Sequence, residues 1–399
     1  MTLRIPFAPR LAVRLTVLLC GIAALPTVWA QATPAKPGKE PGWTFGGVMD
    51  ITQTSRPLAL GLRDKGLQLG HSDLTAAGPL GPWFRAQLGA SFATHDGELE
   101  KRVEEAYVET TALPAGLSLR VGRFASQVGY LNQQHMHADD FTERPLLYRA
   151  FFGGHWNDDG LRLSWTAPTP FYLAFGAEAF RGKRLVEETA APARNPGIAT
   201  LGAKVGADLN REHSVQFGLS YIRNRREAAV EEAHEHEEEA GAEEEHHSHE
   251  EHHAHGALFS GRKTWMLDAT WKWAPGGNNR GQQLRVGLEA ARITGLNRFA
   301  GPNDRHQALA VSAVWRFHPS VELGARTDWL RVRVPHEDHF DSARLREAAV
   351  MVAWKPTHMQ SLRLQATRQW DAVNVENPAK RSVQLQYVMS FGAHGAHSF

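Results

Sequence analysis

TWMLDATWKW, residues 264–273, puts Trp265, Leu267, Ala269, Trp271 and Trp273 on one side of an extended chain and Asp268, Thr270 and Lys272 on the other. Period-two alternation marks a strand with two unlike faces. The same pattern runs through FRAQLGASFAT (84–94), LRLSWTA (161–167), SVQFGLSY (214–221), QLRVGLEAA (283–291) and VQLQYVMSF (383–391). An exported soluble β-sandwich or barrel would need a packed core built from alternate residues. The residues set against the apolar face include Arg85, Gln87, Arg120, Arg162, Asp268, Arg285, Glu289, Arg326, Arg363 and Gln365. Such groups cannot be buried dry without partners. They suit a wet lumen, with the apolar face turned to lipid.

About sixteen segments follow this rule, at 43–53, 66–76, 83–94, 101–110, 116–124, 160–167, 170–180, 199–208, 213–223, 263–273, 283–293, 305–317, 320–332, 344–355, 361–371 and 381–391. Each is near the length a tilted membrane strand needs. The fourth alternates least clearly. Connections after even-numbered segments are mostly short turns, as at 78–82, 112–115 and 318–320. Those after odd-numbered segments tend to be long, at 125–159, 181–198, 224–262, 333–343 and 372–380. Short turns at one end and long loops at the other are the pattern of an outer-membrane barrel. Phe399, in phase with Phe391, Met389 and Tyr387, fits the same assignment. The expected fold is all-β: a transmembrane antiparallel β-barrel of about sixteen strands with short periplasmic turns and long extracellular loops.

Residues 1–30 read as a secretory signal peptide, with Arg4, Arg10 and Arg14 before an apolar run and a small-x-small site at Val28-Trp29-Ala30. Residues 31–42 form a short periplasmic segment, and 43–399 the barrel. Removing the signal removes Cys20, the only cysteine, so neither a disulfide nor a thiolate ligand is expected. No later stretch of eighteen apolar residues suggests a membrane helix. The mature chain carries 41 basic and 43 acidic residues; without the eleven glutamates of 231–256 the balance is 41 against 32. A basic body can signal nucleic acid, but an exported protein rarely meets any.

Two loops carry candidate chemistry. Residues 125–159, the third outer loop, hold apolar anchors (Leu146, Leu147, Tyr148, Phe151, Phe152) between polar ends, and the corresponding loop of general porins constricts the pore. Within it His135, His137, Asp139 and Asp140 lie close together in sequence, with His155 able to approach from the far end. Imidazole with carboxylate suits zinc. A hydrogen-bonded loop whose histidines only cap and pair is the competing account. The second, 224–262, contains EEAHEHEEEAGAEEEHHSHEEHHAHG (231–256), with His234, His236, His246, His247, His249, His252, His253 and His255 and no lysine or arginine. Such tracts are read compositionally as metal binders, and protons should compete for their imidazoles in acid. A solvated acidic loop is the alternative. His394 and His397 near the end, and His336 and His339 in a further outer loop, add imidazoles without a clear arrangement.

GYLNQQHMHADDF (129–141), RPLLYRAFFGGHWNDDGLRLSW (144–165), the acidic His-rich insertion and the closing GAHGAHSF (392–399) resemble bacterial outer-membrane proteins described as zinc-regulated and TonB-dependent-receptor-like. The resemblance implies zinc acquisition across the outer membrane of a Gram-negative cell, with Zn2+ (or another divalent metal) as ligand or substrate and His135, His137, Asp139 and Asp140 as matched loop positions. The short segment before the first strand departs from TonB-dependent receptors, which carry a plug domain inside a larger barrel. A plugless, porin-like passive route is therefore expected, without TonB coupling. No Ser–His pair singles out an enzyme. The expected partners are outer-membrane lipid and metal ions, with a homotrimer as a common state of sixteen-strand porins. A general or anion-selective porin with incidental histidines, and a non-transporting metal-sequestering barrel, are the other two readings.

Overall fold

The computed structural model describes residues 42–186, 195–226, 256–336, 339–375 and 379–392. The signal-peptide segment, His394, His397 and the whole histidine–glutamate run through His255 lie outside them. The described chain is nearly all strand: β1 Thr44–Thr54, β2 Gly66–Leu69, β3 Ser72–Leu80, β4 Phe84–His95, β5 Glu98–Thr110, β6 Leu117–Ala125, β7 Asn157–Thr166, β8 Tyr172–Phe180 and β9 Ile198–Asp208 in the first half. The second half is β10 His213–Asn224, β11 Lys263–Trp273, β12 Gln283–Thr294, β13 Arg305–His318, β14 Val321–His336, β15 His339–Thr357, β16 Gln360–Val373 and β17 Arg381–Gly392. A short helix, α1 (Leu146–Phe152), interrupts the loop between β6 and β7.

Each strand pairs antiparallel with the next, and β1 closes the ring on β17 from Gly46 opposite Gly392 to Thr54 opposite Gln384. Strands β2 and β3 both pair with β1, through Leu69–Ile51 and Asp73–Val48. They are two pieces of one stave, so the barrel has sixteen. Between those pairs β1 advances three residues and the second stave four, so one extra residue sits around Gly70-His71. A second irregularity lies in β5, where Gly89 opposes Glu105 but Ala90 opposes Val103. Glu104 is thus a β-bulge. Bulges re-aim side chains and gather near functional sites.

The two faces separate as the sequence predicts. Along β11, Trp265 and Leu267 are 50% and 47% exposed, while Asp268 between Leu267 and Ala269 is 1% exposed. A lipid-facing band of Leu88, Leu163, Phe175, Leu219, Val352 and Leu385 continues around the outside. Trp43, Trp83, Phe84, Phe171, Tyr172, Trp315 and Trp354 gather near the short-turn end, where amphipathic rings suit the membrane interface. Two expectations need adjustment. Most of the long loop expected at 333–343 is strand, because β14 and β15 keep their alternation and pair as far as His336–His339. Part of the polar face is covered and does not border open lumen, because Asp50, Asp328, Glu347 and Gln365 are essentially unexposed.

The cause is the loop 126–156, which folds into the lumen. Pro145 opens α1 and Gly153, at φ +58°, ends it in the left-handed region where glycine is at ease. All seven residues of the helix are buried. A helix apolar nearly all round needs a complete surround. Phe124, Phe180, Ile198, Ile222, Met266, Ile293 and Leu330 belong to the same buried cluster. Each such side chain contributes about 1.5–3 kcal/mol by burial.

Candidate metal centre between the inner loop and the wall

The buried loop meets two sides of the barrel differently. Toward β12–β17 it is held by fixed charges and amides. Arg149 Nη2 lies 2.6 Å from Glu347 Oε2, and Arg326 lies 2.8 Å from Asp328 and 2.7 Å from Glu347. Arg326 also donates to the Glu143 carbonyl, the Thr142 amide donates to Gln365, and Gln384 donates to Glu143. The Tyr148 hydroxyl donates to Glu289, which also accepts from the Tyr130 amide at 2.9 Å.

Toward β3–β5 the loop presents imidazoles to carboxylates. His71, on the irregular step before β3, places Nε2 3.1 Å from Asp73 Oδ1 and 3.1 Å from Glu104 Oε2. From the loop, His135 Nδ1 and His137 Nδ1 approach Asp73 Oδ2 at 3.1 and 2.9 Å. His155 Nδ1 comes within 4.0 Å of Glu104 Oε2. The donor atoms of His71, Asp73, Glu104 and His135 all lie within 4.8 Å of one another. A tetrahedral shell with bonds of about 2.0–2.2 Å sets its donors roughly 3.3–3.6 Å apart, so a closure of about 1 Å across the widest pair would bring these four onto one ion.

Three features distinguish this cluster from ordinary ion pairing. His71 Nε2, both Asp73 oxygens, Glu104 Oε2 and the Nδ1 atoms of His135, His137 and His155 are all buried, and none completes a hydrogen bond. Buried polar groups are normally satisfied, and orphans call for a cause. Next, His155 Nε2 lies 3.0 Å from the Asn132 carbonyl. Donation there leaves Nδ1 as a lone pair aimed at the cluster, the outer-shell arrangement common to metal-bound histidine. Asn132 itself is clamped by bonds to the Ser126 and Trp156 carbonyls and the Trp156 amide. Finally, burial holds the His155 imidazole down to about 3, so it stays neutral. Burial also disfavours charge on His135, but the carboxylates of Asp73 and Glu105 beside it outweigh this and raise it well above the usual imidazole range. Excess negative charge at this spot would be offset by a divalent cation as well as by a proton.

His135, His137 and His155 thus come together, as the sequence suggested. Asp139 and Asp140 do not join them. Asp139 is engaged by Arg144, at 2.7 Å, and Asp140 by Arg285. A one-residue gap from His137 does not decide direction, and both carboxylates turn to arginines instead. His71, Asp73 and Glu104 were missed. The H-x-D spacing in LGHSD and the Glu104-Glu105 pair inside a weakly alternating strand were the available signs. The donors are nitrogen and oxygen only, which suits zinc and neighbouring divalent ions. A second group, Asp64, His95 and Asp96, lies at the outer rim.

A closed sixteen-stave barrel with an inward loop and a lipid-facing apolar band is an outer-membrane barrel of porin architecture. No family model matches the chain. Among solved structures it is similar to Pseudomonas putida OprB, at 13% identity and a TM-score of 0.56 over 88% of this chain and 94% of that one. It is similar also to the outer membrane channel DcaP of Acinetobacter baumannii, at 12% identity, TM-score 0.53 and 88% and 97% coverage. An anion-selective porin from Comamonas acidovorans shows 13% identity, TM-score 0.52 and 88% and 99% coverage. An uncharacterized protein of Aquifex aeolicus is 39% identical over 119 residues, 30% of this chain, and the match spans about a quarter (24%) of that relative's length.

Proposed function

We propose that this barrel takes up a divalent first-row metal across the outer membrane, with zinc as the ion its resemblance implies. The convergence of His71, Asp73, Glu104, His135, His137 and His155 on one buried spot supports this most strongly. In this reading the histidine–glutamate run at 231–256 raises the local ion concentration outside, and the centre beside the inner loop selects what passes. Energy coupling through TonB is not part of the proposal, and association into trimers remains a property to measure by cross-linking in detergent. An anion-selective porin draws less support, because Arg149, Arg285 and Arg326 are neutralised by carboxylates rather than left facing the lumen.

The test is zinc accumulation and growth under chelation in cells lacking other zinc importers. Intact protein should rescue growth. His71→Ala and His135→Ala should fail to rescue it at equal surface abundance, and loss of 231–256 should raise the zinc concentration required. Rescue by His71→Ala and His135→Ala equal to the intact chain would overturn the proposal. Zinc binding without accumulation would instead favour a sequestering barrel.

A further inference from the structure

The centre is open on one side, toward a cavity of about 440 Å3 whose lining includes His71, Glu104 and His155 at its floor. A bare ion needs only its own shell. A cavity of several hundred Å3 is the size of a small-molecule site. Its walls also carry Arg102, Arg184 and Glu100, with Ser91 and Thr94.

The arginines are out of place on a path for free cations. Arg102 is paired with Glu100 at 2.7 Å. Arg184, in the outer segment after β8, has no carboxylate within ion-pair distance among the described residues, and its Nη1 donates only to the Val103 carbonyl, at 3.2 Å. Burial, and then repulsion from Arg123 and Arg102, lower its affinity for its proton. An anionic group beside Arg184 would relieve that crowding, and a guanidinium binds carboxylate in two-point fashion.

We infer that the centre receives its metal as an anionic chelate, a divalent ion still held by a small polycarboxylate, with the ion at the cluster of His71, Asp73, Glu104 and His135 and the organic anion in the cavity against Arg184 and Arg102. This rests on the metal-uptake reading above and goes further by naming the form of the cargo. It also accounts for two observations together: protein donors open on one face, and beside them a cation with no carboxylate partner among the described residues. A chelate of a divalent ion with a tricarboxylate is net negative. It is thus attracted by the arginines, while its metal can exchange carboxylate oxygens for imidazoles at the floor.

The experiment uses the purified full-length barrel in detergent and measures retention of radiolabelled citrate with and without one equivalent of zinc, beside calorimetry with zinc alone. Citrate should be retained only when zinc is present, close to one per chain. Arg184→Gln should lower that retention about tenfold more than it lowers affinity for zinc alone, and His71→Ala should remove the cavity's share of both. Citrate retention in His71→Ala equal to the intact chain assigns it to the histidine-rich segment and overturns the inference. Zinc bound tightly with no zinc-dependent citrate also overturns it, while leaving the metal centre intact. Absence of zinc binding at the centre, seen as identical calorimetry for the intact chain and His71→Ala, overturns the metal reading itself.

Discussion

One loop, two walls: residues 126–156 touch β12–β17 through arginines, glutamates and amides that are mostly bonded to one another, and touch β3–β5 through imidazoles and carboxylates whose facing atoms are not. The first contact leaves single atoms such as Arg149 Nε, Asp328 Oδ1 and Arg363 Nε without partners, each on a side chain whose other polar atoms are bonded. The second leaves seven buried polar atoms without hydrogen bonds. The lesson is that satisfaction, rather than residue type, separates structural polarity from a binding site inside this barrel. Both walls are rich in charge, and only one leaves a whole carboxylate and several imidazole nitrogens open together.

The contrast can be broken from either side. The largest effect is expected on the satisfied wall. Glu347→Ala leaves Arg149 buried without a carboxylate and Arg326 with Asp328 alone, and should cost about 3–5 kcal/mol. Heat-modifiability on gels would show the lower unfolding temperature; an unchanged value would mean the network does not fix the loop. On the other wall, Asp73→Ala should leave the barrel folded while weakening zinc binding by more than about 100-fold, beyond the range seen for outer-shell changes. Calorimetry on the full chain measures this. Asn132→Ala, which keeps the carbonyl that His155 bonds but removes the side-chain clamp holding it, should cost about tenfold in the same measurement. Asp140→Ala should change zinc affinity least, by less than about twofold, since its carboxylate belongs to Arg285 and lies outside the metal's outer shell. An Asp140 effect as large as that of Asp73 would move the boundary between the two walls.

The fold was legible because a membrane barrel repeats one signal many times. Sixteen alternating segments, with short and long connections in turn, leave few other arrangements, and small errors in each strand cancel. The inner loop was legible as ordered from Leu146, Leu147, Phe151 and Phe152. What it encloses was not, because filling the lumen depends on shape rather than on period. The site was half legible. His135, His137 and His155 lie within one loop and could be grouped by proximity. His71 and Glu104 come from separate staves, each at a place where one extra residue interrupts the alternation, and a template of strict alternation passes over such positions. The weak pattern of residues 101–110 was itself the trace of the bulge.

That added residue at Glu104 has a wider consequence. In a regular stave, neighbouring side chains part company across the sheet, and no two successive carboxylates can serve one interior. Here Glu104 and Glu105 both point inward. A barrel of this kind can therefore gain or lose a ligand by a single-codon insertion or deletion, with every other rung of the ladder and the whole greasy exterior left as they were. Relatives that share the cylinder while differing in cargo are what such an inexpensive change would produce.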